Sequence, residues 1–350
     1  MRYEQVYLDN ISSAPTPEEV CDVMSLYYRE HFGYPGQLHQ WGQWSKTAFE
    51  VFAEKTAELL GAKNFSVKFV LEFALPEIGD GKILISPIEA GIIRDAVERS
   101  GIATEEFDMD GYRHNISSVD KILREDKIAL VIAAAADRLT GTIQPIRELA
   151  EICHRKKIPL LCDISPLIGR TKFAFSELGA DFGFIEGRLF GAPCNLVIGE
   201  QPDEKFPLPL AAGFFKTLEI VDEDIEEKLK SLDELTNEFW RLLQLHLPHL
   251  VLLGEEPRLS GILTVAFEDV DRGAMMLALD MQGVAIWGGD SFSKPTEQFA
   301  KMKISEELAE CALRFSLWHN TKQKELDYVL RVLPPLVDRI RFEKKSPKMR

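Results

Sequence analysis

Asp163 is the residue whose position in the sequence best fits a role in binding a polar ligand. It directly follows the apolar run 160–162, which is typical of a buried strand in a parallel sheet. In such sheets ligands bind beyond the carboxyl ends of the strands, so this carboxylate lies where a polar ligand would be held. The sequence Asp-Ile-Ser-Pro that begins at Asp163 also fits a turn in which the carboxylate accepts backbone hydrogen bonds. The sequence allows both interpretations.

Metal and thiol chemistry find less support in the sequence. The five cysteines are widely scattered, and no Cys-x-x-Cys pair indicates zinc or a redox motif. His246 and His249 flank Pro248, which breaks the helical spacing that places two metal ligands on one face. We therefore expect no metal site, and unpaired cysteines fit a reducing compartment.

Composition limits the partners that are expected. The chain has 56 acidic and 41 basic residues and a formal net charge of -15, which repels phosphate backbones, so nucleic acid is not an expected partner. No run approaches the ~20 apolar residues of a membrane span, and residues 1–10 lack the apolar region of a signal peptide. We expect a cytoplasmic protein without a membrane partner.

Short apolar runs that alternate with amphipathic segments predict the fold class. These runs cover residues 83–85, 128–134, 160–162, 182–185 and 196–198. Continuous apolar strands that are separated by helices indicate an α/β protein with a mostly parallel sheet covered by helices.

The length of 350 residues predicts two lobes, because single cores stop growing near ~250–300 residues. Residues 16–225 are predicted to form the large domain. Residues 1–15 and 226–350 are predicted to form a smaller α/β domain, with a strand at 262–267 and helices at 273–281 and 325–340. The charged run 221–230 predicts a surface helix that leads out of the large domain.

Two helices are predicted near the N-terminus. Residues 16–19 read Thr-Pro-Glu-Glu, which is typical of a capping box with proline at the first helical position. A second helix is predicted from about Gln43 to the left-handed cap Gly61. We expect its regularly spaced apolar side chains to pack in the core: Trp44, Ala48, Val51, Phe52 and Leu59.

Four separated segments carry a resemblance to a known family. Residues 7–10 read Tyr-Leu-Asp-Asn, and residues 33–42 contain Gly-Tyr-Pro, Leu-His and Gly in that order. Residues 141–146 read Gly-Thr-Ile-Gln-Pro-Ile, and residues 314–317 read Arg-Phe-Ser-Leu. Together they resemble the cysteine desulfurases, the NifS-like branch of the class-V aminotransferases among the fold-type I pyridoxal phosphate enzymes. The resemblance covers nearly the whole chain and implies an aminotransferase-like fold with a smaller C-terminal domain.

The resemblance also implies two catalytic residues that this sequence lacks. Leu189 occupies the position of the Schiff-base lysine, and a hydrocarbon side chain cannot form an imine. Phe292 occupies the position of the cysteine that carries the persulfide, and phenylalanine cannot carry sulfur. We therefore expect no covalently bound pyridoxal phosphate, and we predict a degenerate, non-catalytic member.

Other positions of the implied cofactor pocket have changed as well. Ala90 replaces the histidine that stacks on the cofactor ring, Asp137-Arg138 replaces an asparagine pair, and Pro166 replaces a glutamine. The family's phosphate cradle is absent between residues 69 and 81, and its Arg-Ser-Gly-Thr segment is absent after residue 209. Each charge-assisted hydrogen bond is worth ~1.5–3 kcal/mol, so losing several together with the covalent link weakens cofactor binding by on the order of 10 kcal/mol.

Two residues of the implied pocket survive. Asp163 matches the partner of the pyridine nitrogen, and Arg314 matches the arginine that binds the substrate carboxylate, or only ties the two lobes together. His39, in the segment that resembles the family's Leu-His, is a further substrate-binding candidate, although a leftover packed residue is the commoner interpretation. The degenerate pocket then comprises Ala90, Arg138, Pro166, Arg188, Leu189 and Phe292. In it Asp163 should find a cationic partner, Arg188 or Arg138, or several backbone donors.

These residues support two main hypotheses. The first is a binding or regulatory subunit in sulfur or iron-sulfur metabolism, which forms a homodimer or pairs with an active desulfurase or an iron-sulfur scaffold protein. The alternative is an enzyme that binds pyridoxal phosphate non-covalently, or another small ligand, between Asp163 and Arg314. A third hypothesis places a covalent site at Cys194, although small buried cysteines are commoner. Whether a lysine from elsewhere, such as Lys216, folds into the pocket stays open.

Overall fold

The structure is a computed structural model that describes residues 5–203, 205–289 and 295–345, apart from the side chains of Pro295 and Lys345. Its strands are β1 (Val6–Tyr7), β2 (Val67–Val70), β3 (Lys82–Ile85), β4 (Thr104–Glu106), β5 (Met109–Asp110), β6 (Arg113–His114), β7 (Ile128–Ala134), β8 (Leu160–Asp163), β9 (Phe182–Ile185), β10 (Asn195–Ile198), β11 (Leu250–Leu253), β12 (Ile262–Phe267), β13 (Val284–Ala285) and β14 (Ala312–Ser316). Its helices are α1 (Glu18–Arg29), α2 (Gln40–Leu59), α3 (Gly91–Ser100), α4 (Ile116–Glu125), α5 (Ile146–Lys156), α6 (Phe175–Leu178), α7 (Leu208–Asp222), α8 (Ile225–His246), α9 (Arg272–Asp280), α10 (Pro295–Lys301), α11 (Glu306–Glu310) and α12 (Gln323–Lys345). Short 3₁₀ helices follow β8 and β9, at Ser165–Leu167 and Gly187–Phe190.

The central sheet of the described chain has seven strands in the order β2-β10-β9-β8-β7-β3-β4. Strands β4, β3, β7, β8 and β9 pair in parallel, whereas β10 runs antiparallel to both β9 and β2. A parallel crossover needs a dozen or more residues, and the segment 186–194 is shorter, so β10 has to reverse direction. The predicted α/β class with a mostly parallel sheet is therefore confirmed, while β2 was not predicted.

Strand β7 illustrates why the apolar runs are continuous. All seven of its residues are buried, and the side chains of residues 130–133 alternate between two hydrophobic clusters. Val131 and Ala133 join the main core, while Leu130 and Ile132 join the core on the opposite face. Because successive strand residues point to opposite faces, a strand that is covered on both sides needs apolar residues at every position.

A second hydrophobic core lies against the antiparallel sheet β11-β12-β14. Helices α8, α9 and α12 supply its separate core, which also contains Val6 and Leu8 from the N-terminal segment. This segment joins the sheet region because β1 pairs with β13 and Asp9 bridges to Ser316. The exact division into domains stays a prediction.

Several local expectations need correction. Helix α1 begins close to the predicted position, but its N-cap is Pro17 and no side chain caps it, so Thr16 forms no capping box. The predicted surface helix 221–230 is interrupted between α7 and α8, where Asp224 adopts a left-handed conformation with φ 50°.

Helix α2 packs on the core through part of the predicted face. Ala48, Phe52 and Leu59 pack against the main core as predicted. Trp44 and Val51, which were also expected in the core, are exposed. The side chain of Trp44 therefore remains on the outer surface of the helix.

Among the described helices, none combines the length and the apolar character that crossing a membrane requires.

Arg170 connects the segment after β8 to the ends of the antiparallel sheet β11-β12-β14. Its guanidinium is buried, and Nη1 donates hydrogen bonds of 3.0 Å to the carbonyl oxygens of Ser260 and of Leu317. The backbone N–H of Ser260 donates in return to the carbonyl oxygen of Arg170, and the guanidinium lies 4.8 Å from the ring centre of Trp318. These contacts fix the segment after β8 against the antiparallel sheet.

We predict that Arg170→Ala lowers the free energy of unfolding by about 3 kcal/mol, because two carbonyls lose a charged donor and a cavity forms. Urea denaturation followed by circular dichroism measures the change. The control is Arg124→Ala, since Arg124 forms an exposed ion pair with Asp120 and should change stability by at most about 0.5 kcal/mol. Equal stability of the two variants would contradict this role of Arg170.

Candidate functional site

Three neighbouring parallel strands place charged residues at one edge of the sheet. Asp163 ends β8, Arg138 follows β7 by a few residues, and Glu186 directly follows β9. The register pairs Asp163 with Ala134 of β7 and with Phe184 of β9, so the three strands end at the same level. The sheet topology therefore brings together residues that are far apart in the sequence.

Arg138 lies between two carboxylates. Its Nη2 donates to Asp163 Oδ2 and its Nη1 to Glu186 Oε2, each at 2.6 Å. The other oxygen of Asp163 accepts hydrogen bonds from the backbone N–H, at 3.0 Å, and from the hydroxyl of Ser165. The expected cationic partner of Asp163 is thus Arg138, and the turn interpretation also holds because Ser165 donates from its backbone.

Arg188 extends this network toward the N-terminal segment. Its Nε donates to Glu186 Oε1, and its Nη1 donates to the carbonyl oxygen of Ser12. Burial by itself would lower the pKa of Arg138, but Asp163 and Glu186 raise this pKa above its ordinary value. Burial likewise raises the pKa of Glu186, but Arg138 and Arg188 outweigh it and lower this pKa. Both shifts favour the charged forms of Arg138 and of Glu186.

Glu89 is the member of this region that lacks a partner. Its side chain is buried beside Asp163, and neither carboxyl oxygen makes a hydrogen bond of acceptable geometry. Burial first, and then the charge of Asp163, raise the pKa of Glu89 from 4.5 to about 8. Glu89 is therefore mostly protonated at neutral pH, which avoids a third charged carboxylate in the same buried space.

Arg314 is occupied by the chain itself. Its Nη2 donates to Asp9 Oδ1 and to Ser12 Oγ, both at 2.7 Å, and its Nη1 donates to the carbonyl oxygen of Arg138 at 3.0 Å. The guanidinium also lies 4.7 Å from the ring centre of Trp287. The carboxylate that it binds is that of Asp9, and these contacts agree with the interpretation in which Arg314 ties separate parts of the chain together.

The remaining predicted residues lie in different surroundings and do not form one site. Leu189 is only 3% exposed and belongs to the main hydrophobic core, and Pro166 is buried in the 3₁₀ helix after β8. Ala90 is the half-buried N-cap of α3. His39 is exposed rather than packed, and its Nδ1 accepts a hydrogen bond from Gly42 N as the cap of α2. Phe292 lies outside the described residues.

Gly187 is required where the chain turns after β9. A Cβ atom at this position would lie 1.9 Å from the carbonyl oxygen of Cys194. Only glycine allows this close approach, which carries the chain from Glu186 into the helical turn that buries Leu189.

Neither Cys194 nor Lys216 provides the missing chemistry. Cys194 is buried, and burial raises the pKa of its thiol far above the ordinary value, which disfavours the nucleophilic thiolate. Lys216 lies on α7 and its Nζ pairs with Glu219 on the same helix at 2.8 Å.

The loop between β2 and β3 offers no helix terminus to a phosphate. Residues 71–81 are irregular, so the described chain has no helix that begins directly after β2. Phosphate groups are commonly held by the free N–H groups at the start of a helix. The segment 71–81 therefore has neither the sequence of the family's phosphate cradle nor a helix start that could hold a phosphate.

Glu89, Asp9 and Ser12 belong to this site but are not predicted from the sequence. Glu89 does carry a signal, because it is a glutamate between the apolar residues Ile88 and Ala90, four positions after the strand 83–85. Asp9 and Ser12 have no such signal, since their contact with Arg314 spans about 300 positions.

Comparison with known families identifies the class of protein. The family model described as Aminotransferase class-V matches residues 6–72, 79–193 and 206–329. The chain belongs to this family and, within it, groups with the cysteine desulfurase and NifS-like members. Members of the family normally depend on pyridoxal phosphate.

Individual relatives and solved structures agree with this assignment. Cysteine desulfurase IscS of Dictyoglomus turgidum is 26% identical over 379 residues, which cover 96% of this chain and 95% of the relative. A cysteine desulfurase of Klebsiella pneumoniae is also 26% identical, over 97% of this chain and 94% of the relative. The solved structure of a NifS-like protein from Rickettsia africae has a TM-score of 0.83 at 18% identity and covers 96% of this chain and 100% of its own. The fold is therefore shared along the whole chain.

We predict that Leu189→Lys lowers the free energy of unfolding by on the order of 4 kcal/mol, because an ammonium group would be buried among apolar side chains. Leu189→Met, which conserves volume and polarity, should cost less than about 1.5 kcal/mol. Chemical denaturation of both variants measures the difference. If the lysine variant is as stable as the methionine variant, the space around residue 189 is open and polar.

We predict that Glu89 makes the protein less stable as the pH rises from about 4.5 to about 8. Over this range the unfolded chain releases the proton of Glu89 while the folded chain retains it, so stability is highest below the unfolded pKa and is lost as the pH approaches the folded one. Each pKa unit corresponds to about 1.4 kcal/mol.

Glu89→Gln has no proton to release at this position. The free energy of unfolding of the variant, relative to that of the wild type, should therefore rise between about pH 4.5 and pH 8 and stay constant above that range. Urea denaturation at several pH values measures the two slopes. Glu98→Gln, on the exposed surface of α3, serves as the control that should keep the wild-type slope. Identical slopes for Glu89→Gln and the wild type would show that Glu89 is ionised in the folded chain.

Proposed function

We propose that this protein is a cysteine desulfurase relative that lacks Schiff-base chemistry and acts as a binding or regulatory subunit. The observation that carries the proposal is the position of Arg138, whose guanidinium takes the Asp163 carboxylate that the resemblance assigns to the pyridine nitrogen of the cofactor. Each oxygen of this carboxylate already has a donor, because Ser165 donates twice to the oxygen that Arg138 does not contact, so a second cation would compete with these bonds.

The residues around this site do not fit pyridoxal phosphate bound in the manner of the family. Leu189 is packed in the core, residues 71–81 form no helix start, and Arg314 is paired with Asp9. Arg138 and Ser165 donate to the two oxygens of Asp163, and Asp9 binds Arg314, so other groups of the chain already contact both residues that the resemblance assigns to cofactor and substrate.

A binding role agrees with a fold that is retained while its chemistry is lost. In this proposal the protein is a cytoplasmic homodimer, and its partners are an active desulfurase or an iron-sulfur scaffold protein in sulfur or iron-sulfur metabolism. Support for this setting comes from the relatives that are named cysteine desulfurases. Phe292, at the position of the persulfide cysteine, agrees with a protein that does not carry sulfur itself.

A second candidate is an enzyme that binds pyridoxal phosphate non-covalently, or another small ligand, between Asp163 and Arg314. The observation that favours it is Glu89, a protonated carboxyl group without a hydrogen-bond partner beside Asp163. Such a group could donate a proton to a bound ligand. For a ligand to reach Asp163, Arg138 would have to leave it, which would break a buried ion pair.

We predict that pyridoxal phosphate does not remain on the protein after borohydride reduction and gel filtration. Leu189 offers no amine, and Lys216 lies on the surface of α7. Visible absorbance before and after reduction, followed by mass spectrometry of peptides, measures the bound cofactor. An active cysteine desulfurase treated in parallel is the positive control.

Reduced cofactor attached to one lysine in stoichiometric amount would overturn the proposal. Retention of the cofactor without reduction would instead favour the non-covalent enzyme. In that case Arg138→Ala should strengthen retention, because it frees the Asp163 carboxylate. Trace labelling spread over many exposed lysines is the expected background and agrees with the proposed role.

A further inference from the structure

The connections of the central sheet diverge between β3 and β7. Strand β3 leads through α3 to β4 on one side of the sheet order, whereas β7 leads through α5 to β8 on the other side. The two helices lie on opposite faces, since Ile93 of α3 joins the core that contains Ile132, while Leu149 of α5 joins the main core. In open α/β sheets, ligands bind beyond the carboxyl ends of strands whose connections diverge in this way.

Helix α3 begins at this edge of the sheet without a side-chain cap. Its N-cap Ala90 makes no side-chain hydrogen bond, and its first turn contains no acidic residue. The backbone N–H groups of Gly91 and Ile92 have no acceptor within the described part of the chain. Gly91 is exposed, and a Cβ atom on it would meet no other part of the chain within 4 Å. Free N–H groups and the helix dipole, with open space beside them, suit an anion.

Glu89 points toward the same helix start. Its side chain is 7% exposed, and neither carboxyl oxygen makes a hydrogen bond of acceptable geometry. The backbone N–H of Ala90 is near enough to act on the pKa of Glu89, which places the carboxyl group beside the first turn of α3. A buried polar group without a partner is costly, so this carboxyl group calls for a partner that the described chain does not provide.

The groups around Glu89 decide what kind of partner this is. The titratable groups that face it are Arg94 of α3, Arg138 after β7, and Cys162 and Asp163 at the end of β8. Burial and Asp163 raise the pKa of Glu89 to about 8, so at neutral pH the carboxyl group is a hydrogen-bond donor. Both arginines are held by ion pairs of their own. Every group that is free to hold a ligand here is therefore a donor.

We propose that the start of α3 and Glu89 together bind a small oxyanion that only accepts hydrogen bonds, such as sulfate. The anion accepts from the N–H groups of Gly91 and Ile92 and from the carboxyl proton of Glu89. The ion pair of Arg138 with Asp163 stays in place.

This inference names a class of ligand for the binding role proposed above, and it rests on the site being free of pyridoxal phosphate. Sulfate is titrated in the absence of that cofactor, and cofactor retention is measured in the absence of sulfate. Either proposal can therefore fail while the other holds.

The test follows the backbone amide signal of Gly91 by nuclear magnetic resonance while sulfate is added to the full-length protein, labelled with isotopic glycine, at neutral pH. The signal should move saturably, with a dissociation constant of about 1 mM, as three donors to one anion allow. Gly91→Ala identifies the signal, because a Cβ atom fits at this position. Chloride at equal ionic strength should not reproduce the shift.

The variant Ala90→Asp separates loss of the site from loss of folding. Ala90 has φ −65° and ψ 148°, the extended backbone of a capping residue, so the new carboxylate should bond to the free N–H groups and maintain or raise stability. It should also raise the dissociation constant for sulfate by about tenfold or more, because it occupies the donors and repels the anion. Ser100→Asp is the matched control, since it adds the same charge at the exposed far end of α3, about 15 Å away, where it is screened.

Glu89 gives the site a pH dependence that a helix start alone lacks. Sulfate should bind more tightly at about pH 6 than at about pH 9, because Glu89 donates below its pKa of about 8 and repels the anion above it. Glu89→Gln retains a donor at every pH and should remove most of this difference.

Three results would overturn the proposal. The first is a Gly91 signal that does not saturate with sulfate, and the second is equal affinity for sulfate in the wild type and in Ala90→Asp. The third is tighter binding of acetate than of sulfate, since the ligand would then be a carboxylate. Equal pH dependence of the wild type and Glu89→Gln would overturn the role of Glu89 as a donor.

Discussion

The pairing of Arg138 with Asp163 and Glu186 is the interaction on which the rest of the site depends. Two carboxylates at the ends of neighbouring parallel strands repel each other, and burial makes this repulsion strong. A guanidinium placed between them satisfies both, because its planar group of donors can reach two acceptors at 2.6 Å. Without it, Asp163 and Glu186 could not both remain charged inside the protein.

Other features of the site follow from this arrangement. Glu89 lies near a carboxylate that is already ionised, so it keeps its proton. Arg188 supplies the second charge that Glu186 requires and reaches the N-terminal segment through Ser12. Arg314 closes the other side by binding Asp9 and the carbonyl oxygen of Arg138. These contacts form a chain of ion pairs and hydrogen bonds that joins the N-terminal segment to the ends of β7, β8 and β9.

Networks of this kind specify a structure more than they stabilise it, since desolvation offsets much of the attraction between buried charges. Apolar packing supplies most of the stability, and Leu189, which the resemblance places at the lysine position, is part of that packing. The protein therefore retains the family fold through its two sheets and their cores, which do not depend on the cofactor.

The sequence by itself determined the fold class, the family and most of the central strands. Apolar runs such as 128–134 are local patterns, and they predict the strands well because a strand buried on both faces requires apolar residues at nearly every position. The sequence also indicated that Asp163 needs a cationic partner, Arg188 or Arg138, or several backbone donors. Only the tertiary structure decided that this cation is Arg138, that Asp9 takes Arg314, and that Trp44 faces outward. Such contacts depend on strand order, on register and on the rotation of a helix about its axis, and the spacing of residues along the chain does not encode these directly.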